Sequence, residues 1–338
     1  MKSPKCFVPP FDILEVGEIQ TLTQVVSWSL DNLQIPKVWK TSRGAGITIA
    51  VLDTGIDSNH LDLLCNIQNA YARSFHHGED TTHDFNGHGT ASAGVAAACD
   101  NELGIVGVAP DAKIIPIKVL GGSGMGQNDA IERGLKYIWE IRDKVDIVNL
   151  SLGSTAPLTN DGHQTIKDLY NYGIVVVAAA GNDPSKGVLW PARYDEVFAI
   201  GSYTPTLTRD LSTFSAQGDA VDFVCPGSNI TTTWKDGKYS TLNGTSFASP
   251  YCCGVLALML SVEKARGRKL TVEQIKTKLI DNCMDYGAKG FDFQYGWGII
   301  NVTQLMDSLG IDAGDSTLPP TLIPPKKSFW KRLFFWIN

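Results

Sequence analysis

The chain has 338 residues, 43% of them hydrophobic and 19% charged, with a formal net charge of −6. That length and apolar share can bury one large core without a second domain, and the acidic balance argues against a grip on nucleic acid, which needs clustered Lys and Arg. Seven cysteines without regular spacing argue against a disulfide framework; no apolar stretch of signal-peptide length precedes Pro9 and Pro10, so the expected setting is reducing and cytoplasmic.

In chain order, residues 1–26 lack the periodicity of the later chain and read as an N-terminal extension. From Gly46 to Leu309, short β-branched runs alternate with longer helical ones, the signature of parallel βαβ units. Strands are expected at 47–52, 113–119, 146–150, 174–179, 197–200 and 221–224, and helices at 90–98, 128–142, 164–172, 246–265 and 271–282. The strands are continuously apolar, as they are when both sheet faces are covered. The predicted fold class is therefore α/β, a three-layer, mostly parallel twisted sheet with helices on both faces, over 27–310. Charge or glycine interrupts every apolar run, so no membrane-spanning helix is expected. Residues 311–327 read as a linker rich in Pro, Asp, Gly, Ser and Thr. Residues 328–338 gather Phe329, Trp330, Leu333, Phe334, Phe335, Trp336 and Ile337 around Lys331 and Arg332, a tail suited equally to a membrane surface and to docking on the chain's own body or on a second copy in a homodimer.

Three residues carry the chemistry. Asp53 lies just past one strand, His88 sits between Gly87 and Gly89 at the start of a small-residue helix, and Ser246 opens a long apolar helix. A serine hydroxyl is a poor nucleophile until a positioned base takes its proton, so an acid, an imidazole and a hydroxyl together suit acyl transfer. Taken singly, Ser246 reads as a helix N-cap, His88 as a loop or metal residue and Asn182 as a turn residue closing a strand. His76, His77 and His83 raise zinc, but no HExxH pattern or cysteine pair accompanies them. Asp53-Thr54-Gly55 is also how aspartic proteases present a carboxylate, yet that mechanism needs a second copy and the chain has none. Asn182 ends an apolar strand at the edge where open α/β sheets place their ligand crevice, and its amide suits an oxyanion hole. Gly121, Gly122, Ser123 and Gly124 lack the ending of a phosphate loop.

The blocks Val51 to Gly55, Asn86 to Thr90 and Gly244 to Pro250, in the order Asp, His, Ser, resemble the subtilisin-like serine peptidases. Gly107 to Pro110, Lys118 to Leu120, Asn149 to Gly153 and Ala179 to Asn182 agree as well, and the likeness runs from Trp28 to about Asn301. It implies a serine endopeptidase with Asp53, His88, Ser246 and Asn182 as catalytic residues. The segment from Gly121 to Gly126, with Gly121, Gly122, Ser123 and Gly124 as its site residues, and Ser151, Leu152 and Gly153 would be the two edges that pair with an extended peptide. Ala180 and Gly181 would help to wall a first specificity pocket, with Leu189 on its floor making it shallow and apolar. A structural Ca²⁺ is implied on Asp62 and Asn101, the backbone oxygens of Cys99, Leu103 and Ile105, and the Gln24 side chain. Within the family the chain is most similar to bacterial intracellular subtilisins, whose short N-terminal extension covers the active site with a hydrophobic-Pro motif; Phe7-Val8-Pro9-Pro10-Phe11 is placed for that role. Ala91, Ser92 and Tyr251 depart from the family's usual His-Val and His. The alternative is a non-catalytic peptide-binding scaffold of the same fold.

Overall fold

The computed structural model describes residues 3–19 and 24–310. The tail expected at 328–338, with its linker, lies outside the described residues.

Among the described residues the strands are, in chain order, β1 (Lys5–Phe7), β2 (Asp12–Gly17), β3 (Thr48–Asp53), β4 (Arg73–Ser74), β5 (Lys113–Lys118), β6 (Met125–Gln127), β7 (Ile147–Leu150), β8 (Gly153–Ser154), β9 (Val175–Ala179), β10 (Val197–Tyr203), β11 (Phe223–Pro226), β12 (Ile230–Trp234), β13 (Lys238–Asn243), β14 (Cys283–Met284) and β15 (Ile299–Ile300). The helices are α1 (Trp28–Asn32), α2 (Ile35–Val38), α3 (His88–Ala97), α4 (Asn128–Glu140), α5 (Asn160–Tyr172), α6 (Thr245–Ala265), α7 (Val272–Asp281) and α8 (Val302–Ser308).

Nine strands make the central sheet in the order β14-β15-β11-β10-β9-β7-β3-β5-β4. All pairs are parallel except β14 with β15. Every residue of β3, β7 and β9 is buried, as a sheet covered on both faces requires. The chain runs from β3 out to β5 on one side and returns to β7 on the other, so Asp53 at the end of β3 stands at the switch of strand order, where a crevice opens.

Helices α3 and α6 pack together on one face of the sheet; α4 and α5 cover the other. The glycines of α3 are dictated by close neighbours away from α6, the turn at Gly55 and β12. A Cβ on Gly89 would come within 2.1 Å of the Gly55 carbonyl oxygen, and one on Gly94 within 2.2 Å of Thr233 Oγ1. The expectation that every apolar run is interrupted short of membrane-spanning length fails at α6, which is long and apolar enough by length and composition to cross a membrane. It is instead a core helix, 94% buried across its apolar window, and apolar all round because protein surrounds it.

A second correction concerns the cysteines. Cys65 and Cys99 are joined in a disulfide, while Cys6, Cys225, Cys252, Cys253 and Cys283 are free. The bond tethers the turn after Asp62 to the end of α3. Residues 34 apart meet there only because β3 and α3 lie side by side, so spacing carried no trace of it.

Candidate active site

Asp53 ends β3 wholly buried, and its Oδ1 lies 2.8 Å from His88 Nδ1. The carboxylate also accepts from Thr54 N (2.7 Å, on Oδ1) and from Ser92 Oγ (3.2 Å, on Oδ2). Ser92, one of the departures from the family pattern, thus steadies the acid, while Tyr251 donates its hydroxyl to the Ser29 carbonyl.

His88 is the first residue of α3 because the chain turns sharply at Gly87, whose φ is +112° and where a Cβ would fall 2.4 Å from the Trp234 ring. Asp84, unremarked in the sequence, organises this turn. Its Oδ1 accepts from Thr54 Oγ1, Asn86 N and Gly87 N, and its Oδ2 from Thr90 N and Thr90 Oγ1. An acid four residues ahead of the histidine, at a helix start, was the available signal. The other ring nitrogen, His88 Nε2, is buried and has no partner among the described residues.

Ser246 enters at the start of α6, after Gly244. Its hydroxyl donates to the Ser151 carbonyl at 3.3 Å, and Ser151 Oγ donates to the Ser246 carbonyl at 2.7 Å. Across from it, Asn182 Oδ1 accepts from Thr245 N (2.9 Å) and Thr245 Oγ1 (2.7 Å), which leaves the amide nitrogen as the free donor. That nitrogen donates to the carbonyl of Pro10 at 2.7 Å.

The extension itself occupies this cleft. β1 inserts between β6 and β8, antiparallel to both, pairing Cys6 with Gly126 and Ser154, and Phe7 with Met125 and Gly153. Val8 N donates to the Gly124 carbonyl at 2.9 Å. Phe11 then lays its ring against His88 and Phe247, with centroids 5.1 and 5.8 Å away. Beyond it, β2 pairs with β13.

The two edges differ in part from expectation. Gly153 pairs with the extension, but Gly121, Gly122 and Ser123 form the turn ahead of β6, closed by Gly124 N on the Gly121 carbonyl. The stretch that pairs with the extension is Gly124 to Gln127, while the backbone of Gly121 to Gly124 closes a turn on itself. Lys118, wholly buried, ties this turn to the site through Glu79, whose Oε1 accepts from Gly122 N at 2.9 Å. Leu189 fits between Gly153 and Gly181: a Cβ on either would come within 2.5 and 3.1 Å of its side chain. Leu189, Gly181, Asn182, Thr155 and Met125 line a cavity of about 620 Å³, closed by Phe7, Val8 and Pro10 of the extension.

The residues expected to hold Ca²⁺ also converge. Gln24 Nε2 lies 2.9 Å from the Cys99 carbonyl and 3.2 Å from that of Ile105; Asn101 Nδ2 lies 3.0 Å from Asp62 Oδ1, and Leu103 N 3.0 Å from Asn101 Oδ1. Asp62 is wholly buried, and among the described residues its carboxylate accepts only from neutral donors, namely Asn101 Nδ2, Ile105 N and Tyr239 Oη. Burial and then the Asp62 charge push the Tyr239 phenol well above its ordinary value. A buried carboxylate facing carbonyls and two amides that can turn over is a donor set that fits Ca²⁺. Among the described residues no three His, Cys, Asp or Glu side chains gather as a metal centre. His76, His77 and His83 part company accordingly: His77 pairs with Asp129, and His83 packs on Phe85.

Residues 44–298 match the subtilase family of peptidases. The chain is a subtilase. It is 37% identical to an alkaline protease of Alkalihalobacillus alcalophilus over 86% of this chain and 72% of that protein. It is 37% identical to Subtilisin Savinase of Lederbergia lenta over 82% of this chain and 97% of the relative. An intracellular serine protease of Paenibacillus polymyxa is 38% identical over 76% of this chain and 80% of its own length. This subtilase is accordingly a serine endopeptidase with the subtilisin-like α/β fold.

Proposed function

We propose that this subtilase cuts peptide bonds through Asp53, His88 and Ser246, and that the segment from Lys5 to Gly17 holds it inactive by lying in the cleft as a substrate would. The observation that carries both halves is the 2.7 Å bond from Asn182 Nδ2 to the Pro10 carbonyl, made while β1 is paired between β6 and β8. An oxyanion-hole donor is aimed at a peptide carbonyl, and that carbonyl belongs to the chain itself.

In turnover, Ser246 Oγ attacks the scissile carbonyl and His88 Nε2 takes its proton. Asp53 holds the ring by Nδ1 and stabilises the imidazolium. Asn182 Nδ2 donates to the oxygen as it becomes an oxyanion, in a site that water does not weaken. His88 passes the proton to the leaving amine, and water then hydrolyses the acyl-enzyme. Leu189 and its neighbours hold an apolar side chain ahead of the cut bond, while backbone pairing makes the rest sequence-tolerant.

Three features keep Pro10–Phe11 uncut. Ser246 points its hydroxyl at the Ser151 carbonyl, Phe11 lays its ring against His88, and two consecutive prolines stiffen the segment by fixing φ. Deleting residues 1–22 raises casein hydrolysis, and Ser246→Ala abolishes it in both forms together with labelling by a serine-directed inhibitor. Equal rates before and after deletion would overturn the inhibitory half, and activity surviving Ser246→Ala the catalytic half.

Bound Ca²⁺ would clamp Gln24, the 99–105 turn and Asp62 together, adding rigidity rather than chemistry. The proposed intracellular setting draws support from the name of the Paenibacillus polymyxa relative. The Cys65–Cys99 disulfide weighs the other way, since reducing compartments keep thiols free. Fractionation of the producing cells decides between them.

A further inference from the structure

The extension does not end its pairing at the reacting residues. Past Phe11, β2 adds antiparallel to the outer edge of β13, with Asp12 opposite Asn243, Ile13 opposite Leu242, Glu15 opposite Thr241, Val16 opposite Ser240 and Gly17 opposite Tyr239. A register shift at Thr241 and Leu242 passes over Leu14. The other edge of β13 is taken by β12, so β2 covers the edge of β13 that β12 leaves open.

The contact is made by backbone. Ile13, Leu14 and Val16 remain 50, 51 and 44% exposed, so their apolar side chains contribute little to it. The shorter of the two side-chain hydrogen bonds described between the strands, Ser240 Oγ to the Glu15 carbonyl at 2.6 Å, is again to main chain, and the other, Asn243 Nδ2 to Asp12 Oδ2, is long at 3.4 Å. A surface that holds a strand without reading its side chains suits any extended polypeptide.

Because the Pro10 carbonyl sits at Asn182, the register of the residues after it is fixed relative to the bond that would be cut. We propose that, once the extension has left, the edge of β13 from Asn243 back to Tyr239 is an extended binding groove for the part of a substrate beyond the scissile bond, reaching as far as the position now held by Gly17. The inference rests on reading the extension as a substrate-like strand. It assigns the groove to unfolded protein chains rather than short peptides: a bound strand gains main-chain hydrogen bonds, as in other strand additions to a free sheet edge, and only a substrate long enough to reach β13 collects them.

The test uses the full chain after proteolytic removal of its extension and a series of fluorogenic peptides. All share one sequence before the cut; beyond it they end at the position of Asp12 or continue, in alanine-rich sequence, to that of Gly17. A parallel long series carries proline at both positions matching Glu15 and Val16, where at least one lost N–H must face β13. The long peptides show a kcat/KM about tenfold higher than the short ones, which is what one net backbone hydrogen bond supplies, and the proline pair erases the gain. Cleavage of short and long peptides at equal kcat/KM overturns the groove while leaving the cleft intact. A gain that survives the proline pair also overturns it, since the benefit would then not come from strand pairing. Failure to cut any member overturns the cleft reading and the groove with it.

Discussion

Substituting Asp84 by Asn tests whether the turn that presents His88 is held by charge. The carboxylate is wholly buried and takes five hydrogen bonds, at 2.7 to 2.9 Å, three on Oδ1 and two on Oδ2. The least costly placement of the new amide keeps the oxygen at Oδ1, where two backbone N–H groups need it, and puts the NH₂ at Oδ2. There it faces Thr90 N–H, a donor against a donor. Thr90 Oγ1 can turn to accept, but the N–H cannot. One orphaned buried donor costs about 1–3 kcal/mol, and the three bonds that remain lose the advantage of an ionised acceptor, roughly 0.5–1 kcal/mol each. The sum is about 2.5–6 kcal/mol, at or beyond the upper end of the usual range for a point substitution. In the surviving folded enzyme the turn relaxes and His88 moves; a displacement near 1 Å costs about 10²-fold in kcat. Urea unfolding in a Ser246→Ala background, which prevents self-digestion, measures the first quantity, and steady-state kinetics of the extension-free enzyme the second. A loss under about 1 kcal/mol, with kcat unchanged, refutes the assignment of Asp84 as the residue that positions His88.

Cys65→Ser opens a loop of 34 residues; chain entropy sets the loss of unfolding free energy at about 3–4 kcal/mol, and dithiothreitol reproduces it on the parent but not on the variant. A chelator lowers the melting temperature by vacating the Gln24, Asp62 and Asn101 cluster, and an unchanged melting curve removes Ca²⁺ from it. Gly87→Ala abolishes activity in a casein assay, because the new methyl meets the Trp234 ring at 2.4 Å and φ is +112°; retained activity shows that the helix start can shift without harm. For Glu79, burial raises the carboxyl pKa, but the Gly122 N–H and Lys118 outweigh it and hold it below its ordinary 4.5. A lowered acid contributes stability above its unfolded value that is lost as pH falls through the folded one, so Glu79→Gln flattens the acid limb of unfolding below about pH 4.5 in urea titrations; an unchanged limb shows that the Lys118 contact carries no net coupling.

What the chain disclosed in advance depends on which forces act locally. Six strands of the central sheet, β3, β5, β7, β9, β10 and β11, were legible because burial on both faces demands largely apolar runs, whereas the two-residue strands β4, β14 and β15 carry no such run. The meeting of Asp53 with His88 was legible because each stands at a glycine-punctuated end of such an element. Long-range pairing of irregular segments was not legible. Nothing in Cys65 or Cys99 points to the other, and Asp84 reads as an ordinary loop acid until Thr54 and Thr90 are brought around it. Within the edge expected over Gly121 to Gly126, the sequence did not separate the part that turns, Gly121 to Gly124, from the part that pairs with the extension as a ladder, Met125 to Gln127, because both are rich in glycine. Inhibitor and substrate share that ladder in the proposed mechanism, so the sequence constraints on the extension are few: an extended run, then a carbonyl at Asn182 that cannot be attacked. Pro9 and Pro10 serve the second requirement by stiffening the segment. Val8, whose N–H reaches Gly124, and the strands on either side meet the first with main chain alone.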